Sequence, residues 1–123
     1  MKRYRLSDLP DVREGHFLSG ILPDRFIMRG GIGFKKPGAA SHMGEGPGGA
    51  DVHVHLDSHE VFVFLQGKAV VRVDGKDHPA ASGDVFVIEP GEDHHIIADR
   101  TDPCINLWLE PGPRRSKDQE VSG

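Results

Sequence analysis

Cysteine is nearly absent. Cys104 stands alone in 123 residues, so no disulfide can form within the chain and the fold depends on its apolar core. A lone cysteine suits a reducing compartment. Long apolar runs are also missing: none approaches the roughly 20 residues that a helix needs to cross a membrane. The opening MKRYRLSDLP is too charged for the apolar centre of a signal peptide. No charge of one sign dominates, with 15 Lys and Arg against 19 Asp and Glu. Without clustered cations, nucleic acid is a poor fit as main partner. The small basic groups at residues 2–5 and 114–117 read as solvated ends. Together these absences give an expectation of a cytoplasmic protein with neither a nucleic-acid nor a membrane partner.

What is plentiful is punctuation. Sixteen glycines and nine prolines leave no stretch that keeps a helical period over ten or more residues. Between the breaks lie short runs rich in Val, Ile and Phe, at 52–55, 60–66, 68–73, 84–88, 94–98 and 105–109. Each has the length of a strand. Weaker candidates lie at 17–22 and 26–34. Asp74-Gly75 favours the two-residue turn of a tight hairpin. Many short strands at regular spacing imply an all-β sandwich or barrel. The length fits a single domain spanning 1–123, with a core at about 16–110, an N-terminal segment at 1–15 and a polar tail at 111–123.

Alternation assigns the faces. In 68–73, Ala69, Val71 and Val73 face one way, Lys68 and Arg72 the other. The run 60–66 is apolar on both faces except at its ends, as in a strand buried on both sides. Glu60 opening such a strand is anomalous, because a carboxylate in a barrel interior is costly unless paired, hydrogen-bonded or bound to metal. Phe62, Phe64, Phe86 and Trp108 read as core, and Cys104 as a small buried hydrophobe. Gly44, Gly46 and Gly49 satisfy G-x-G-x-x-G, but the segment runs into a strand rather than a helix, so nucleotide binding is rejected.

The chain has eight histidines, and five of them form two short groups. In the first, His53 and His55 are two apart on one strand and so share a face. After a turn at Leu56-Asp57-Ser58, Glu60 can return to the same point. In the second, a strand from Gly83-Asp84 ends at Pro90-Gly91 and His94 opens the next. Three histidines and a carboxylate meeting in a barrel mouth form a mixed nitrogen and oxygen site, suited to Fe, Mn, Ni, Zn or Cu. Without a thiolate, a closed structural zinc site is disfavoured. His95 faces away from His94. His16, His42 and His78 have no pattern.

The pattern H-x-H-x4-E-x6-G, here His53, His55, Glu60 and Gly67, resembles the first motif of the cupin superfamily. Gly83-Asp84 through Pro90-Gly91 to His94 resembles the second. The usual Pro-Pro-Gly is Glu89-Pro90-Gly91 here, and a family asparagine is replaced by Ala98. The resemblance implies a double-stranded β-helix, the cupin jelly roll, with one divalent transition metal ion held by His53, His55, Glu60 and His94. Some small cupins place a histidine at the third ligand position, which makes His59 the competitor of Glu60. Counting from both His55 and Gly67 favours Glu60. The family also implies a small-molecule substrate, with dioxygenase, isomerase, decarboxylase and lyase chemistry all open. Glu45, Asp57 and Asp84 are candidate acid or base groups. The competing class is a non-catalytic ligand-binding or sensory cupin. By analogy the chain is expected to form a homodimer, with a strand at 26–34 supplying the contact.

Overall fold

The computed structural model describes residues 1–9, 20–23, 25–36 and 57–113. Among these residues eight strands run in chain order: β1 Lys2–Arg5, β2 Phe26–Lys35, β3 Glu60–Gln66, β4 Lys68–Val73, β5 Lys76–Ala81, β6 Asp84–Ile88, β7 His94–Ala98 and β8 Cys104–Gly112. The first sheet has the order β1-β6-β3-β8-β2 and the second β5-β4-β7. All the pairings are antiparallel. The fold is all-β, as the punctuated sequence implies. The expected strand at 52–55 lies outside the described residues.

Local chemistry explains the framework. Asp74 and Gly75 both have positive φ, 48° and 80°, the geometry of the mirror-image turn that matches strand twist. Val73 consequently pairs with Lys76 and the β4–β5 hairpin closes in register. Gly67 has φ +79°, and a Cβ there would run into the Pro103 carbonyl oxygen. The motif glycine therefore allows the β3–β4 corner to touch the chain leading into β8.

Two apolar clusters flank the first sheet. Between the sheets lie Phe62, Phe64, Val71, Phe86, Ile88, Ile96 and Cys104. Phe64 and Phe86 meet edge to face, with centroids 5.8 Å apart. On the outer side, Val61, Val63, Val85, Val87 and Leu109 are covered by Leu22, with Tyr4, Leu9 and Ile21 beside it. β3 is thus buried on both faces, as its sequence predicts. Trp108 packs against the inner cluster while staying partly exposed. On β2, the strand expected to meet a second copy, the outward side chains Ile32 and Phe34 are 69% and 62% exposed.

Three expectations are corrected. Residues 2–5 are not a solvated end: they form β1, paired with β6 through Lys2↔Val87 to Arg5↔Asp84. Their arginines bind Asp84 (Arg5 Nη1 to Oδ1 2.7 Å, Arg3 Nη2 to Oδ2 3.1 Å), which repays ordering the segment. The polar tail starts later than 111, because β8 runs to Gly112 and Pro111 is fully buried. In the weak candidate at 17–22, Ile21 and Leu22 are not in a strand, and 17–19 lie outside the described residues. Strand β5 had no signal in KDHPAA. Pro79 is tolerated there because β5 is the edge of its sheet among the described residues, where no ladder hydrogen bond is lost.

Candidate metal centre

Glu60 opens β3 and His94 opens β7, so the two come from different sheets and meet across the interior. Glu60 is 5% exposed and His94 wholly buried. His94 Nε2 lies 3.1 Å from Glu60 Oε1. Val73 pairs with His94 and Glu60 with Ile88, and since Val73 and Ile88 both belong to the inner cluster, both side chains point inward. Phe62 stands against the imidazole, with ring centroids 5.8 Å apart.

The other ring nitrogen, Nδ1, donates to the Glu92 carbonyl at 3.0 Å. That contact fixes the tautomer and turns Nε2 toward the carboxylate. With the Nδ1 proton committed, an uncharged ring would present a lone pair to a carboxylate, which is repulsive. The contact therefore needs either a proton shared between Nε2 and the carboxylate or a metal cation. Burial alone would lower the His94 pKa, but the Glu60 hydrogen bond and the Glu92 carbonyl outweigh it and raise the group above its ordinary value. This donor set fits a transition metal: one imidazole nitrogen oriented by a backbone carbonyl, facing a buried carboxylate. His53 and His55 lie outside the described residues. Among the described residues no cluster of three or more such donors occurs.

His59 points elsewhere. Its Nε2 is 3.2 Å from Glu89 Oε1 and its Nδ1 is buried without a hydrogen-bond partner among the described residues. Its backbone N–H donates to the Pro111 carbonyl. Neighbouring residues of an extended chain face opposite sides, which separates it from Glu60. His95 is likewise turned from His94, with Nε2 on the Asp93 carboxylate. Of the candidate acids and bases, Asp84 sits at the other end of β6, bound to Arg3 and Arg5. The Asp57 carbonyl accepts from Arg25, and Glu45 lies outside the described residues.

The sequence reading missed a group beside Glu60. On β8, Glu110 lies one step beyond the Val61–Leu109 pair. It accepts from Arg29 Nε at 2.6 Å and from Ser58 Oγ at 3.0 Å. The Arg29 guanidinium lies 5.9 Å from the Trp108 ring centroid. Alternation held the signal, since Arg29, Gly31, Gly33 and Lys35 share one face of β2. Without the register of β2 against β8, nothing marked that face as the inner one.

Comparison with known proteins decides the family. The cupin domain profile matches residues 41–110, over half of the chain. The chain belongs to the cupin family. No significant relative occurs among curated proteins. Among solved structures, the cupin chain is similar to a cupin protein from Bacteroides fragilis, with TM-score 0.59 and 24% identity over 68% of this chain and 64% of that one. The match thus spans less than two thirds of the Bacteroides protein. A Klebsiella pneumoniae protein with a double-stranded β-helix domain matches with TM-score 0.57 and 14% identity, over 89% of this cupin and 88% of that chain. A Thermotoga maritima protein named a predicted oxalate decarboxylase matches with TM-score 0.55 and 21% identity, over 76% of this cupin and 71% of that chain. At these identities the likeness establishes the double-stranded β-helix.

Proposed function

We propose that this cupin is a metal-dependent enzyme acting on a small oxygen-bearing organic molecule, with one divalent transition metal ion held by His53, His55, Glu60 and His94. The observation that carries this reading is the buried Glu60–His94 pair, whose facing nitrogen and oxygen need a proton or a metal cation between them. When bound, the metal would supply Lewis acidity, an activated water or a redox centre. The chain's own part is to hold these donors rigid. Glu92 orients His94, Phe62 walls the imidazole, and the apolar interior keeps bulk water from the inner side. Four protein donors leave up to two positions on a six-coordinate ion, enough for a chelating substrate. The relative named as a predicted oxalate decarboxylase supports decarboxylation as one of the reactions to test, beside dioxygenase, isomerase and lyase chemistry. The lone, buried Cys104 suits a reducing cytoplasmic setting.

The test is metal analysis by plasma mass spectrometry on untagged protein purified without added metal. The expected result is about one transition metal ion per chain, its identity set by availability as well as geometry. Turnover assays on small hydroxy and keto acids, with oxygen uptake monitored, would follow. Absence of metal, with none taken up on incubation, would replace this reading with that of a non-catalytic ligand-binding cupin.

A further inference from the structure

The inner face of β2 carries chemistry that the metal reading does not use. Its register places Arg29 opposite Glu110, Gly31 opposite Trp108 and Gly33 opposite Asn106. Arg29, Gly31 and Gly33 are two residues apart in regular register and so share one face. A Cβ at Gly31 would meet the Trp108 indole at 3.1–3.2 Å. The missing side chain lets the indole lie flat along the strand, and that ring faces the Arg29 guanidinium.

Arg29 is held without being used up. Its only side-chain hydrogen bond among the described residues runs from Nε to Glu110. A guanidinium has five N–H donors, so the two terminal nitrogens keep theirs. The Arg29 side chain is 66% exposed while Glu110 is 13% exposed. An ion pair with one partner in water contributes little, so an incoming anion can compete for the guanidinium at small cost. Glu110 raises the Arg29 pKa through its hydrogen bond and its charge, and Glu60 adds a smaller effect in the same direction. Glu110 lies one step beyond the Val61–Leu109 pair, so its bond to Arg29 ties the guanidinium to the strand position beside Glu60.

We infer that Arg29, backed by the Trp108 ring at the rim of the barrel, anchors a carboxylate of a small organic ligand beside the Glu60–His94 pair. The planar two-oxygen carboxylate matches the guanidinium fork, and the indole offers an apolar face to the carbon skeleton. This deepens the proposed function and rests on it, because the carboxylate would hold the molecule's other oxygens toward the metal position.

The experiment titrates malonate into the full chain loaded with Mn(II), by calorimetry, with malonamide as the neutral control and inorganic phosphate as the competing anion. Metal content and melting temperature are measured on the same samples. The wild type should bind malonate and not malonamide. R29Q should weaken malonate about tenfold or more, as loss of a charge-assisted bidentate contact does, with metal content unchanged. R29K should fall between them. E110Q should tighten malonate binding, since it removes a competing negative charge. A purely structural Arg29–Glu110 pair predicts instead that R29Q and E110Q change melting alike and leave malonate affinity alone.

Wild-type affinity in R29Q, or no malonate binding by the wild type, overturns the inference. Phosphate binding in preference to malonate overturns the carboxylate assignment. Metal retained with Arg29-independent malonate binding removes the anchor and leaves the proposed function standing. Malonate binding that depends on Arg29 in a chain unable to hold metal upholds the anchor and ends the metal reading.

Discussion

The barrel has a nearly buried carboxylate at each end of the β3–β6 pair, and the two have opposite fates. Asp84, 4% exposed, opens β6; Glu60, 5% exposed, lies across from Ile88 at its close. They stand about four residues apart along the strand, on the order of 13 Å. Asp84 is satisfied by fixed donors: Arg5 at 2.7 Å, the Ala81 N–H at 2.8 Å and Arg3 at 3.1 Å. Arg3 also lies over the Phe86 ring, 5.0 Å from its centroid. Glu60 faces an imidazole whose charge state can change. A buried carboxylate is structural where the chain supplies permanent positive charge, and a candidate site where it supplies a conditional one.

The sharpest way to break this comparison is at the Glu60 end. Glu60→Gln and His94→Ala should each lower metal affinity by more than the roughly 10–100-fold typical of losing an outer-shell partner, as read by competition with a chelating dye. The same should hold for His53→Ala and His55→Ala, and wild-type metal content in all four would dismiss the centre. At the other end, Asp84→Asn should cost about 1–3 kcal/mol in denaturant unfolding, because Arg3 and Arg5 keep access to water while the buried amide loses its charged partners. Metal content should not change.

Acid should separate the ends further. Burial works to raise the Asp84 carboxyl, but the hydrogen bonds from Arg5, Ala81 and Arg3 together outweigh it and hold the group below the usual range. With the folded pKa depressed, its stabilisation is present above the ordinary carboxylate value of about 3.9 and is lost as pH falls through the folded value. Unfolding free energy measured from neutral pH downward should therefore fall less steeply in Asp84→Asn below about pH 4. The smallest effect should be on metal content in His59→Ala, which should retain the ion while Glu60→Gln does not. The reverse order would give the third ligand position to His59.

Much of the fold was legible because strands buried on both faces write themselves as apolar runs and half-buried ones as alternation. The strands containing Phe62, Val71, Phe86, Ile96 and Trp108 all lie within a few residues of where the sequence puts them. The facing of Glu60 and His94 was legible too, through motif spacing and the cost of a carboxylate beside Val61. β1 was hidden, since Lys2, Arg3 and Arg5 look solvated until their partner Asp84, 79 residues from Arg5, is known. β5 was hidden because its turn and its neighbour organise it, against its own propensity. Arg29 was invisible for the same reason as β1, since its meaning lies in Glu110 and Trp108 on another strand.

The pairing of β2 with β8 also sets a timetable. Arg29 and Glu110 are 81 residues apart, so on the ribosome β2 emerges long before the strand it needs. At ordinary synthesis rates the wait is on the order of ten seconds. Through that interval Ile32 and Phe34 travel on an unpaired ribbon, the kind of edge that neighbouring nascent chains can join. The β4–β5 hairpin, closed by its own two-residue turn, has no such delay. The pairing of β8 with β2 is what ends that exposure.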